Sequence, residues 1–162
     1  MFLAFRDEMP AVASFMPNVK EIVVRAREET ADGVKIHNEW VGRGEIPKVA
    51  QGIVKPDMLR WDDFATWNSA TTSCEWQLKL RVFTDNVRCS GRTVLVAEGA
   101  GTRVTLTGTL QLDMRDIPGV PRFLAGTVAP QVEKFVVALV TPNLEQMNVA
   151  IARYLDSQAG RS

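Results

Sequence analysis

Between Thr102 and Leu155 the chain changes its hydrophobic period once, and that change limits the possible folds more than any other feature. From Thr102 to Met114 apolar and polar residues alternate. Val104, Leu106, Leu110, Leu112 and Met114 fall on one face, and Arg103, Thr105, Thr107, Thr109, Gln111 and Asp113 on the other. Such alternation belongs to an antiparallel strand with one face in a core and the other in water. After the break at Ile117-Pro118-Gly119-Val120-Pro121 the apolar residues recur at helical spacing, as Val128, Val132, Phe135, Leu139, Met147, Ile151 and Tyr154. A twisted antiparallel sheet closed by one long amphipathic helix encloses a space, so a hydrophobic small molecule is the expected partner.

With 162 residues, 46% of them hydrophobic, the chain can bury one core. A single domain over residues 1–158 with a disordered tail at 159–162 is expected. Its 19 basic and 19 acidic residues cancel and form no run, so nucleic acid is not an expected partner. Met1 to Phe5 is too short for a signal peptide, and no uninterrupted apolar stretch nears the ~20 residues of a membrane span. The sequence therefore predicts a cytoplasmic protein with no integral membrane segment, leaving room for transient membrane contact.

Asp32-Gly33 suits a tight turn between strands Val19 to Glu29 and Val34 to Val41. Arg25 and Arg27 interrupt the pattern of the first strand and leave its register open. Residues 42–56 read as loop. Met58 to Asn68, Ser73 to Val82, Val87 to Ala97 and Thr102 to Met114 complete six strands in meander order, with Gly99-Ala100 as the last turn. Ahead of them, Met1 to Pro17 reads as two short helical turns broken at Pro10. For the closing helix, Thr127 as N-cap puts Pro130 at the third helical position, where no hydrogen bond is lost. A start near Pro121 makes the helix longer and places a kink at Pro130 in addition to one at Pro142.

A turn at Thr84-Asp85 sets Cys74 opposite Leu95 and Cys89 opposite Leu80, too far out of register for a disulfide. Both thiols read as small buried hydrophobes. With His37 as the only histidine, no metal site is expected, and no cofactor. Gly99-Ala100-Gly101 lacks the remaining glycine and the following helix of a nucleotide-binding loop, so it reads as a hairpin.

This order of elements, two short helices, a meander and a long C-terminal helix, resembles the α+β helix-grip fold. The segments Arg60 to Asn68 and Ile117 to Pro121, with Ala152-Arg153-Tyr154-Leu155 at the helix end, resemble the START-related SRPBCC superfamily. That group includes lipid carriers, ubiquinone-binding proteins and polyketide cyclases or aromatases. The resemblance implies a hydrophobic cavity between the sheet and the helix, and does not imply an enzyme. The family pattern also has a strand before the two short helices, pairing with the last strand. Its absence here predicts that this is a shortened reading of a longer chain, with about ten alternating residues upstream. It also predicts that the last strand is an open edge through which copies self-associate.

Alternation places Trp76, Leu78, Leu80, Thr93, Leu95, Leu106, Leu110 and Met114 on the inward face, approached by Phe135, Val136 and Leu139 from the helix. Taken singly, each is as well explained by core packing. Gly91 and Gly108 fall opposite each other, and either widen a cavity or let the sheet curl. Trp40, Trp61, Trp67 and Trp76 supply aromatic walls, and Asn38 an inward polar group. The expected ligand-binding set is thus Asn38, Trp40, Trp61, Trp67, Trp76, Leu78, Gly91, Thr93, Leu95, Leu106, Gly108, Leu110, Phe135 and Leu139. His37 points outward with Lys35 and Glu39. Asp63 alternates with Trp61 and Trp67 and is the one candidate for acid-base chemistry in an enzyme of the cyclase or aromatase kind. A filled domain acting only through partners is the third alternative.

Overall fold

The structure is a computed structural model and describes residues 1–46, 48, 51–52, 54–113 and 115–160. Helices α1 (Phe2–Asp7) and α2 (Met9–Val12) and a 3-10 turn at Ala13–Phe15 lead into the sheet. Its strands are β1 (Val19–Thr30), β2 (Gly33–Gly42), β3 (Arg60–Asn68), β4 (Ser73–Leu80), β5 (Val87–Glu98) and β6 (Gly101–Leu112). They pair antiparallel in chain order, so β1 and β6 are the two edges. Helix α3 (Arg122–Ala159) lies against one face, giving the α+β helix-grip arrangement.

The expected order of elements holds, and the differences are local. Gly33 is the first residue of β2 and pairs with Thr30, so Ala31 and Asp32 make the turn. Glycine is needed there for closeness, since a Cβ on Gly33 would come within 2.0 Å of the Trp67 carbonyl oxygen. Bulges between Val19 and Glu21 and between Val24 and Ala26 explain why no single register fits β1. The break between the first helices falls at Glu8, and Pro10 sits in the first turn of α2, where its missing N–H costs nothing.

The β4–β5 connection is longer than a two-residue turn. Val82 and Phe83 fold inward within it, 6% and 4% exposed, Phe83 takes a φ of 58°, and the Thr84 hydroxyl donates to the Leu80 carbonyl at 2.7 Å. Cys74 therefore pairs with Thr93 and Cys89 with Leu78, two residues from the expected register, and both thiols are buried and free. The Gly99 turn forms as expected, with φ 58° at Gly99 and Ala97 opposite Thr102. Met114, expected to end the last strand, lies outside the described residues.

α3 takes the earlier of the two starts, with Pro121 as N-cap, so Thr127 is inside the helix and Pro130 and Pro142 both interrupt its ladder. Next to the second interruption, Asn143 Nδ2 donates to the Leu139 carbonyl at 2.7 Å. The helix runs to Ala159 with Gly160 as its cap, one residue past the expected end of the domain, and Arg161 and Ser162 lie outside the described residues. No residue from Arg122 to Gln131 is buried, and Phe123 is 83% exposed. From Val132 onward one stripe enters the core, where Val132, Val136 and Ile151 are fully buried. Each stabilises the docked helix by about 1.5–3 kcal/mol. An 18-residue window of α3 reaches a mean hydropathy of 1.4, apolar enough to cross a membrane by length and composition alone.

α1 and α2 plug the end of the sheet where α3 finishes. Phe5, Met9 and Val12 are buried, and the Phe2 ring meets Trp67 edge-on at 5.4 Å. Phe15 meets Tyr154 edge-on at 6.1 Å, and the Tyr154 hydroxyl donates to Glu8 at 3.2 Å.

Candidate functional site

Strand pairing alone builds the wall of the site. Across β2 and β3, Asn38 faces Asp63 and Trp40 faces Trp61. Across β3 and β4, Asp63 faces Leu78, Ala65 faces Trp76 and Trp67 faces Cys74. Period-two geometry sends these side chains to one face, under α3. Trp40 and Trp61 stack with centroids 5.6 Å apart and planes 24° apart.

Between this wall and α3 is a cavity of about 60 Å³. Of the expected ligand-binding residues, Asn38, Trp40, Trp61 and Trp67 line it, together with Trp76, Leu78, Thr93 and Leu139. Asp63 lines it too. Leu106, Gly108 and Leu110 line a separate groove of about 480 Å³ between β6 and α3. Trp76, Val140 and Leu144 border both spaces and form the partition between them. Gly91, Leu95 and Phe135 line neither; Leu95 and Phe135 are buried core residues, 3% and 8% exposed.

The two glycines face each other as expected, but the room they leave is occupied. A Cβ on Gly91 would lie 2.4 Å from the Trp76 ring, and one on Gly108 2.7 Å from it. The Trp76 indole fills the gap and donates its N–H to the Thr93 hydroxyl at 3.1 Å. Gly91 and Gly108 seat a tryptophan and do not widen the cavity.

The cavity's polar groups are poorly satisfied. Asn38 Nδ2 reaches Asp63 Oδ2 at 3.5 Å, a long contact, while Asn38 Oδ1, Trp40 Nε1 and Asn143 Oδ1 are buried without a hydrogen-bond partner. An orphaned buried polar atom costs about 1–3 kcal/mol, so three around one cavity are expensive unless something satisfies them. Asp63 keeps intermediate exposure because it borders this space. Loss of solvation is still the largest influence on its carboxyl, which is pushed up to about 6 against the opposing pull of Asn38, Trp40 and His37. Burial, and then the Asp63 charge, raise the Cys74 thiol; burial alone raises Cys89 to about 11. Neither thiol is a nucleophile at neutral pH.

Asn143 is absent from the sequence-derived set although its signal was present. It sits four residues after Leu139 and four before Met147, on the stripe those two define, and both line the cavity. Phe5 and Met9 also line it, and no strand period could reveal residues that arrive from the short helices.

The opposite face of the sheet carries a charge network. His37 points outward as expected, stacking on Phe64 at 4.4 Å and bonding Asp62 through Nε2 at 2.8 Å. Glu39, paired directly with Asp62, is 4% exposed and accepts hydrogen bonds from Arg25 at 3.0 Å, Arg60 at 2.8 Å and Arg81 at 2.6 Å. Arg25 first, with Arg60 and Arg81, holds the Glu39 carboxyl below its ordinary value against burial. At Asp62 burial pushes upward, but Arg81 and His37 outweigh it and the carboxyl is lowered. Among the described residues, no group of His, Cys, Asp and Glu side chains could hold a metal ion.

Two solved structures are similar to this chain to different degrees. The crystal structure of TTHA0849 from Thermus thermophilus is similar at a TM-score of 0.59 and 23% identity, over 94% of this chain and 88% of that one. A START superfamily protein from Mycobacterium smegmatis is similar at a TM-score of 0.40 and 14% identity, over 90% of this chain and 88% of that one. No curated protein matches the chain. Residues 7–152 match the family described as "Protein of unknown function (DUF2505)", and the chain belongs to that family.

Proposed function

We propose that this protein binds a hydrophobic small molecule between the sheet and α3, as a cytoplasmic carrier or sensor for a lipid, isoprenoid quinone or polyketide-like aromatic. The observation that carries the reading is the set of three unpartnered buried polar atoms around a mostly aromatic and aliphatic cavity. A domain filled only for stability gains nothing by leaving them unpaired. The cavity's volume of about 60 Å³ limits what enters to one end of a ligand, far below the several hundred Å³ of a drug-sized site. The ligand's body would then reach the groove beside β6 by displacing the Trp76, Val140 and Leu144 side chains that separate the two spaces. Phe123 and Leu124, exposed at the head of α3, offer a point of transient membrane contact during loading. The open edge of β6 is the surface through which two copies would pair.

Native mass spectrometry of protein purified without added ligand tests this reading, because a carrier retains cargo. The expected result is a mass increment lost on denaturation, together with binding of a hydrophobic fluorophore. A bare mass together with no fluorophore binding would favour the filled domain and end the proposal. The raised Asp63 carboxyl on the cavity wall favours a second reading, a cyclase-type or aromatase-type enzyme with Asp63 as general base. That reading requires turnover of a bound polyketide-like aromatic that disappears in Asp63→Asn while binding persists.

A further inference from the structure

We propose that the ligand's buried end is a protonated amine, held by the Asp63 carboxylate, by the orphaned oxygens of Asn38 and Asn143, and by tryptophan faces. This rests on the small-molecule-binding reading above and names the chemistry of the head group.

Counting free donors and acceptors leads to that head group. Asn38 Oδ1 and Asn143 Oδ1 are unpartnered acceptors. The Asp63 carboxylate accepts the long 3.5 Å contact from Asn38 Nδ2 and is approached by the Trp40 N–H. Trp40 Nε1 lies near enough to Asp63 to favour the ionised carboxylate, which leaves the two amide oxygens without a donor. The wall therefore offers three acceptor groups, one of them charged. An ammonium group brings two or three N–H donors and no acceptor, which complements it.

Charge agrees with that count. None of the described residues lining the cavity is Lys, Arg or His, so no cation shares the cavity with Asp63. The groups acting on Asp63 are His37, from the outer face of β2, and Asn38 and Trp40, from its inner face. From β4 the Cys74 thiol faces the same space and stays protonated. From α3 and the short helices the lining side chains are neutral: Asn143 is the polar one, beside Leu139, Val140, Leu144, Met147, Phe5 and Met9. A carboxylate or phosphate head would meet a like charge and no cation. An alcohol would leave the ionised carboxylate without a counter-charge in a poorly solvated place. An ammonium ion supplies the counter-charge, and the stacked Trp40 and Trp61 rings offer π faces to it. The cavity's volume of about 60 Å³ suits a head group and a carbon or two, with the apolar remainder directed toward the β6 groove.

Octylamine, 1-octanol and octanoate, which share one tail and differ in the head, test the proposal by titration calorimetry on the full chain and on Asp63→Asn. At about pH 7.5 octylamine is expected to bind at least about tenfold more tightly than 1-octanol, with octanoate weakest. Lowering the pH to about 5 protonates Asp63 and should weaken octylamine about tenfold while leaving 1-octanol unchanged. In Asp63→Asn the preference for octylamine and its pH dependence should both vanish while 1-octanol still binds. Equal binding of octylamine and 1-octanol to the wild-type protein overturns the amine head and leaves the small-molecule reading standing. Absence of binding by all three overturns both. The wild-type pH series decides the matter even where the variant is poorly behaved.

Discussion

Asp63→Asn is expected to make the protein more stable at neutral pH, and by an amount that depends on pH. Burial pushes this carboxyl from its ordinary value of 3.8 up to about 6 in the folded state, so folding favours the protonated form. The stability tied to that proton is fully present below the unfolded value of 3.8 and is lost as the pH rises through the folded value near 6. At about 1.4 kcal/mol for each tenfold, the ionised side chain weakens the folded state by about 3 kcal/mol at neutral pH. Between about pH 4 and pH 7.5, about 2–3 kcal/mol of this should appear as a difference. Asparagine keeps the shape and cannot ionise, and the bond it forfeits to Asn38 is a long one at 3.5 Å. Urea unfolding of both proteins at both pH values measures the double difference, in which the carboxylates of Asp62 and Glu39 cancel because the substitution does not touch them. The variant should gain about 2–3 kcal/mol on the wild type in going from the lower pH to the higher, or roughly 4–12 °C in Tm for a chain of this size. An unchanged gap at the two pH values would falsify the placement of the Asp63 carboxyl in a poorly solvated cavity.

Gly108→Ala should destabilise the fold by about 1–3 kcal/mol through its collision with the Trp76 ring, and should cost much less when made in a Trp76→Leu background. Gly91→Ala should not be rescued in this way, because its Cβ would also lie 2.2 Å from the Thr107 carbonyl oxygen. Equal rescue at both positions, in thermal unfolding, would contradict the packing described. Glu39→Gln should cost about 1 kcal/mol at neutral pH, a modest figure because the three arginines are partly in solvent. Since the Glu39 carboxyl is held below its ordinary value of 4.5, its contribution is present above that value and is lost as the pH falls through the folded one. The gap between the two proteins in urea midpoints should therefore close on acidification, and a constant gap would speak against the ion network.

Strand order and inward faces were legible because period two leaves one choice once any residue is placed: Trp61 inward brings Asp63, Ala65 and Trp67 with it. The pairing of Gly91 with Gly108 followed from a turn whose glycine dictates its own geometry. Register across β4 and β5 was not legible, because Val82 and Phe83 bury themselves in the connection and no local pattern separates a folded-in loop from two more strand residues. The start of α3 turned on whether the backbone would tolerate Pro130, which tertiary contacts further along the helix decide. What filled the glycine gap was hidden for a different reason. Sequence spacing says where a side chain is missing, but a bulky ring arriving from the neighbouring strand is a fact of volume, visible only when both strands are in place.

The four tryptophans give the protein its own light source. All are buried: Trp40 stacks on Trp61, Trp67 lies further along β3, and Trp76 stands on β4 opposite Ala65. Indoles packed this closely pass excitation from ring to ring before emitting, so the emission reports on the cluster as a whole. Whatever enters beside Asp63, or swings Trp76 off its seat of glycines, changes the polarity around one ring and through it the colour and brightness of all. Occupancy of the cavity can thus be followed optically in unlabelled protein, and Trp76→Phe separates a signal born at the partition from one born at the polar end.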